Sequence, residues 1–274
     1  MKFSLKIERE TVAYLGWSLF IGSVLRLFYL GQPMRYDEAL TFLSFIEPGG
    51  WAVFDYPFPN NHVFHTLLVK VSTFLFGVHP ATLRLPAFFA GLAIVWVTWW
   101  ASRRFSGEGS IAALLVAVAP VLIFYSTNAR GYTLVALLTV ASLGLGWTAL
   151  QEKDWRGMAI LAGTNALILA TIPSGLFAVS GVFVWLVLLV VSEMRSQWFQ
   201  MVGKFVLPAG LVTSLATALF YVPVVIVSGG AEGLFGNRFV ASVEIKEFWS
   251  LLGPHVSESI SDLTRYIPLP FTFA

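Results

Sequence analysis

The chain has 274 residues, 57% of them hydrophobic and only 12% charged, with a formal net charge of +2 at pH 7 and a mean hydropathy of +0.77. A soluble domain carries about 25% charged residues, so this composition excludes a water-covered globule and requires lipid to solvate much of the surface. The absence of cysteine excludes disulfides and thiolate metal centres, and so small a net charge gives no basis for nucleic-acid binding.

A helix needs about 17–25 residues to cross the hydrocarbon. The first such run is Val12–Leu30, preceded by Lys2, Lys6 and Arg9. It is long, and no small-x-small cleavage site follows before Gln32-Pro33, so it reads as an uncleaved anchor. Further runs follow at Pro86–Ser102, Gly109–Ser126, Gly131–Leu150, Met158–Ile172, Gly175–Ser192 and Phe205–Ser228, where Pro173-Ser174-Gly175 splits one long apolar stretch into two. The predicted fold class is therefore an all-α membrane protein of about seven transmembrane helices. The predicted organisation is a membrane module over 1–228 and a C-terminal outer-face segment over 229–274.

The segment His62–Phe76 differs from these runs. As a helix it would be about 22 Å long, short of the roughly 30 Å hydrocarbon core. His62, Thr66, Lys70 and Thr73 share one face and Phe64, Leu67, Leu68, Val71 and Leu75 lie elsewhere. This pattern predicts an amphipathic helix at the membrane surface rather than a span. With that choice, Lys2, Lys6, Arg9, Arg103, Arg104, Lys153, Arg156, Arg195 and Lys204 fall in short cytoplasmic segments. The longer outer segments then hold Arg35, Lys70, Arg84, Arg130, Arg238, Lys246 and Arg265. The positive-inside rule supports this orientation.

The first outer loop, residues 31–85, carries most of the chemistry. Asp37 and Glu38 stand a few residues beyond the first span, where partial desolvation would raise a carboxylate's pKa and suit it to general-base work. A solvated acidic pair is the plainer alternative. Arg84, in Leu83-Arg84-Leu85-Pro86, and Arg130, between two spans, lie at the membrane end where positive charge is disfavoured, which points to an anionic partner. Snorkelling to lipid headgroups is the alternative for each. The i, i+3 spacing of His62 and His65 fits interface hydrogen bonding better than metal binding, and no metal or other cofactor is expected.

These residues occur in a familiar order: Asp37-Glu38-Ala39 after the first span, then Asn61-His62, Leu75-Phe76-Gly77, Arg84-Leu85-Pro86, Arg103-Arg104-Phe105, and Ser126 to Tyr132 at a turn. Over roughly residues 10–190 the chain resembles the membrane glycosyltransferases of the GT-C fold, in the protein O-mannosyltransferase and aminoarabinose-transferase-like group. The resemblance implies a seven-helix module with surface helices in its first outer loop. It also implies a sugar donor carried on polyprenyl phosphate and an acceptor hydroxyl on the non-cytoplasmic face of the cell membrane. It makes Asp37 the catalytic acidic position, with Glu38 beside it. Arg84 and Arg130, with Lys70, become candidates to hold the donor phosphate, and Asn61, His62 and Tyr132 candidates to bind substrate. Two positions depart from the family pattern: His62-Val63 stands where members often have His-Pro, and Ile172-Pro173-Ser174 where they have a more polar turn. A transporter or lipid flippase, for which the intramembrane Arg26 would mark a pathway, is the alternative from another class. An inactive family member that binds the lipid carrier is a third.

Overall fold

The computed structural model describes residues 2–235 and 244–265, and every regular element among them is helical. In chain order these are α1 (Lys2–Leu30), α2 (Tyr36–Thr41), α3 (Val63–Phe76), α4 (Pro80–Ser106), α5 (Ser110–Val118), α6 (Pro120–Ser126), α7 (Tyr132–Glu152), α8 (Trp155–Thr171), α9 (Leu176–Glu193), α10 (Trp198–Met201), α11 (Leu207–Val227), α12 (Glu232–Phe235) and α13 (Ile245–Arg265). A π-helical turn, Phe42–Ile46, extends α2, and another, Val202–Val206, joins α10 to α11. Residues 1–234 and 235–274 form two separate units. Of the expected C-terminal segment, 236–243 and 266–274, with Arg238, lie outside the described residues.

Among the described residues, five helical stretches are long and apolar enough to cross a membrane: Thr11–Leu30, Pro80–Ser106, Tyr132–Glu152, Pro173–Glu193 and Trp198–Val227. The other two expected spans are helical but shorter. The α8 helix has 17 residues. The expected Gly109–Ser126 span is broken into α5 and α6 where Ala119 turns to φ −61°, ψ 117° ahead of Pro120. Proline has no N–H to donate and disfavours helical geometry in the residue before it. The break leaves the last carbonyls of α5 without helical donors, and Arg26 meets one of them. Its Nη1 donates to Ala117 O at 2.9 Å and to Gly22 O at 3.0 Å. A cation at a helix C-terminus is also favoured by the helix dipole. Arg26, fully buried, thus caps a broken helix.

Two sets of contacts define the ends of the first unit. At one end Phe105 packs on Trp147 and Trp185, Trp155 on Phe205, and Arg104 reaches Glu152 at 3.9 Å. At the other end Leu30, Glu38, Asn60, His62, Arg84, Ala129 and Gly131 come together through hydrogen bonds described below. Small residues let the helices approach closely, as in other membrane bundles. A Cβ on Gly144 of α7 would lie 2.2 Å from the Trp100 ring of α4. The main apolar core joins α7, α8, α9 and α11 through Leu150, Leu161, Leu186, Val190 and Phe205.

The expected surface helix exists as α3, but its polar face is turned inward. His65, Thr66, Ser72 and Thr73 are buried, whereas Phe74, Leu75 and Phe76 are exposed. The reason is visible at Pro86, inside α4. Lacking an N–H, Pro86 cannot bond Thr82 O, and Ser72 Oγ donates to that carbonyl at 2.7 Å. Thr66 likewise donates to the buried Asn61 side chain; Val63 and Val69 are buried beside these polar residues, and the exposed apolar residues lie in the C-terminal half of the helix. In the second unit, α13 is amphipathic, with Phe248, Trp249, Leu252, Val256 and Ile260 exposed along one stripe.

Candidate functional site

The end of the bundle that carries the first loop is organised around Glu38. Arg35 precedes α2 in extended conformation, and its N–H donates to Glu38 Oε2 at 2.9 Å. This is the reciprocal half of a capping box. Glu38 then points into the bundle and meets Arg84 of α4 in a two-point ion pair. Arg84 Nε donates to Oε1 at 2.8 Å and Nη2 to Oε2 at 2.7 Å, with both side chains fully buried. Ala129 N–H adds a fourth bond to the carboxylate, at 2.7 Å. The remaining guanidinium donors go to the carbonyls of Leu30 and Gln32, both at 2.7 Å, and of Pro33 at 3.1 Å. Burial raises the Glu38 pKa, but Arg84 and the N–H groups of Arg35 and Ala129 outweigh it and hold the carboxyl below its usual value. Two expectations are corrected here. Glu38 is not a base open to substrate, and Arg84 has no donor left for a donor phosphate. The pair instead ties the end of α1, the start of α2, α4 and the 127–131 turn together.

Asp37, one residue earlier, points the other way. Neighbouring helical residues diverge by about 100°, and where Glu38 is buried Asp37 is exposed. Among the described residues its carboxylate has no hydrogen-bond or ion-pair partner, while its backbone is fixed. Thr41 Oγ1 donates to Asp37 O at 2.8 Å and Asn60 Nδ2 to the same carbonyl at 3.3 Å. Asn60 also accepts from Arg130, through its backbone carbonyl at 2.8 Å and through Oδ1. A single asparagine therefore joins the segment carrying the open carboxylate to the guanidinium.

Arg130 is 5% exposed yet has no carboxylate partner among the described residues. Its Nε lacks any hydrogen-bond acceptor, and its Nη2 reaches only the Tyr132 hydroxyl oxygen, at 3.5 Å. Burying a cation without a counter-ion is costly, so this guanidinium favours an incoming anion. Tyr132, partly exposed, lies under it with Arg130 Cζ 5.6 Å from the ring centroid and packs on Tyr125 at 4.9 Å. The Arg130 guanidinium, the Asn60 amide and the phenols of Tyr132 and Tyr125 thus stand together, with the backbone of Asp37 bonded to the same amide.

Behind it, His62 accepts the Gly131 N–H through Nδ1 at 2.8 Å and meets the Tyr132 ring edge-on at 4.8 Å. A Cβ on Gly131 would come within 2.4 Å of Thr171 and 3.0 Å of His62 Nδ1, so this turn depends on glycine. His65 is fully buried, and neither ring nitrogen has a partner. Burial first, and then the charge of Arg130, lowers His65 to about 3. The same causes, with His65 added, hold His62 well below its ordinary value. Both rings are thus neutral at physiological pH, and His62 supports Arg130 and Tyr132 from below. No group of three or more His, Asp or Glu stands together as a metal site among the described residues.

Two further expected residues serve the loop itself. Asn61 is fully buried; its Nδ2 donates to Val53 O and Asp55 O at 2.9 and 2.8 Å, and its Oδ1 accepts from Thr66 at 2.8 Å. It is a clamp with no capacity left for substrate. Lys70 Nζ donates to Gly50 O at 2.6 Å and pins the 47–55 segment to α3.

No family model, curated protein or solved structure matches this chain. The reading of the site rests on its own geometry. Two residues that it brings forward, Asn60 and Tyr125, are missing from the sequence-based candidates. Asn60 had a signal in the Asn60-Asn61 doublet, but nothing in the sequence says which of the two faces the loop and which the site.

Proposed function

We propose that this chain is a membrane glycosyltransferase of the GT-C type that moves a sugar from polyprenyl phosphate to an acceptor hydroxyl. The observation that carries the reading is the pairing, through Asn60, of an open carboxylate with a nearly buried guanidinium that has no counter-ion. Asp37 takes the proton of the acceptor hydroxyl as its oxygen forms a bond to the anomeric carbon. The bond from that carbon to the phosphate oxygen breaks, and the electron pair leaves with polyprenyl phosphate. Arg130 stabilises the charge that develops there. One displacement inverts the anomeric configuration. A phosphate leaves as a stable anion, so the second carboxyl that glycosidases use to protonate a leaving group is not required.

The proposal includes seven spans with the N-terminus in the cytoplasm and the Asp37 end on the opposite face. The α5–α6 pair and α8 are then the two short crossings. Single cysteines test the orientation, since the chain has none of its own. A cysteine at exposed Pro57 should react with an impermeant thiol reagent in intact cells, and one at exposed Ser106 should not; the reverse pattern would invert the topology. The transporter alternative leaned on Arg26, which here has a structural task at the α5–α6 break.

Donor binding tests the role of Arg130. Hydrogen bonds to a charged group are worth about 1.5–3 kcal/mol, so Arg130→Gln should weaken binding of a polyprenyl monophosphate by about 10–100-fold. The variant should still insert and purify. Unchanged affinity would remove Arg130 from the donor site and, with it, the basis of the proposal.

A further inference from the structure

The seam between α1 and the broken α5–α6 pair contains a cleft of about 390 Å³ that the proposed transfer reaction does not use. Its walls are apolar: Leu25 and Tyr29 from α1, Val118 from α5, and Ile123 and Phe124 from α6. The break at Ala119-Pro120 interrupts the α5–α6 wall of the cleft. Arg35 and Gln32 stand among its lining residues at the polar end. The Arg35 guanidinium lies over the Phe124 ring, its Cζ 3.7 Å from the centroid. It is held there by Gln32, whose Oε1 accepts from Arg35 Nη2 at 3.2 Å and whose Nε2 donates to Thr127 O at 2.9 Å. Arg35 Nη1 has no partner. Glu38, the acid whose charge Arg35 feels most, is committed to Arg84.

We infer that this cleft binds a phospholipid with an anionic headgroup, its phosphate on Arg35 and an acyl chain between α1 and α6. The chemistry at the two ends of the cleft differs in the way such a lipid requires. A guanidinium held over an aromatic ring and by one hydrogen bond, with Nη1 buried and unpartnered, keeps donor capacity for phosphate oxygens. Among the lining residues no carboxylate is present to receive the ammonium of a zwitterionic head. The apolar walls lie on a flank where Phe28, Val121 and Phe124 are exposed, so the cleft opens where lipid chains are in any case present. A soluble anion would satisfy Arg35 but leave those walls uncovered. The inference does not depend on sugar transfer, because none of these residues belongs to the Asp37–Arg130 surface.

Native mass spectrometry of the full chain, released from detergent with phosphatidylglycerol or phosphatidylcholine of identical acyl chains, tests this. The first lipid retained should be phosphatidylglycerol, by about tenfold, because phosphatidylcholine brings the same phosphate with a cationic choline that would stand beside Arg35 with no carboxylate among the lining residues to meet it. Arg35→Gln should abolish the preference. The substitution keeps the backbone N–H bond from Arg35 to Glu38, and the only side-chain hydrogen bond it removes is the one to Gln32, so folding should be unaffected. Val118→Trp, which fills the cleft from a partly exposed position, should lower retention of both lipids with Arg35 intact. Inorganic phosphate at equal concentration should not displace phosphatidylglycerol. The inference is overturned if Arg35→Gln keeps the preference, if Val118→Trp leaves retention unchanged, or if inorganic phosphate competes equally.

Discussion

Glu38→Gln is expected to destabilise the protein more than any other single conservative substitution in the first loop. Glutamine keeps the size but removes the charge, and one of its two head atoms becomes a donor. Arg84 would then be a fully buried cation without a counter-ion. Either Arg84 Nε and the Ala129 N–H, or Arg84 Nη2 and the Arg35 N–H, would face that donor. Breaking a buried ion pair from one side costs about 3–5 kcal/mol, enough to cut the yield of folded protein severely. The double variant Glu38→Gln, Arg84→Met should recover part of the loss, since removing both charges avoids the stranded cation. The pair also sets an acid limit. The folded Glu38 pKa lies below the unfolded one, so the stabilisation is present above the ordinary carboxylate range and is lost as pH falls through the depressed value. Thermal unfolding in detergent, followed against pH for the wild type and the double variant, should show that acid sensitivity only in the wild type. Glu38→Gln protein as stable as the wild type would show that the ion pair does not hold the loop.

Asp37→Asn should have the opposite profile, with a stable protein and little turnover. The side chain is exposed and makes no bond that asparagine would lose. The helix start is set by Glu38 and by backbone carbonyls, which the substitution leaves alone. Asparagine cannot accept the acceptor's proton, and loss of a general base typically costs about 10²–10⁴-fold in rate. The loss should appear in single-turnover transfer at saturating donor, with binding of polyprenyl monophosphate unchanged, because the phosphate is assigned to Arg130. Asp37→Asn at full rate would remove the base from the mechanism. Wild-type stability with no donor binding would instead mean that Asp37 orders the site.

The two acidic neighbours show how far the sequence can be read. That Asp37 and Glu38 cannot both face the same way follows from helical geometry, but which one turns inward depends on where Arg84 lies, 46 residues away in α4. The sequence marks Arg84 as a cation at an unexpected membrane end, and an anionic partner is what it has; the anion is Glu38, within the chain. Arg130 shows the same sequence signal without an internal anion. Burial and pairing separate the two, and neither is a local property. The α3 helix gives a second example. Its period is legible from residues 62–76, but the inward turn of Ser72 goes with Pro86 of α4 leaving Thr82 O to its hydroxyl. Pro120 carried a local warning of the break within 109–126, whereas the capping of that break by Arg26 required the tertiary structure. The apolar runs themselves, being properties of length and composition, were the most directly legible.

The central claim is that the surface of Asp37, Asn60, Arg130 and Tyr132 transfers sugar from a lipid phosphate. Its most direct test is transfer by the purified wild-type chain, given a panel of polyprenyl-phosphate hexoses and pentoses and a mixed hydroxyl acceptor. Release of polyprenyl monophosphate is the readout. The account predicts release from at least one donor, dependent on acceptor and abolished in Asp37→Asn and Arg130→Gln alike. Release that persists in both variants, or binding of polyprenyl monophosphate with no release from any donor, would contradict it.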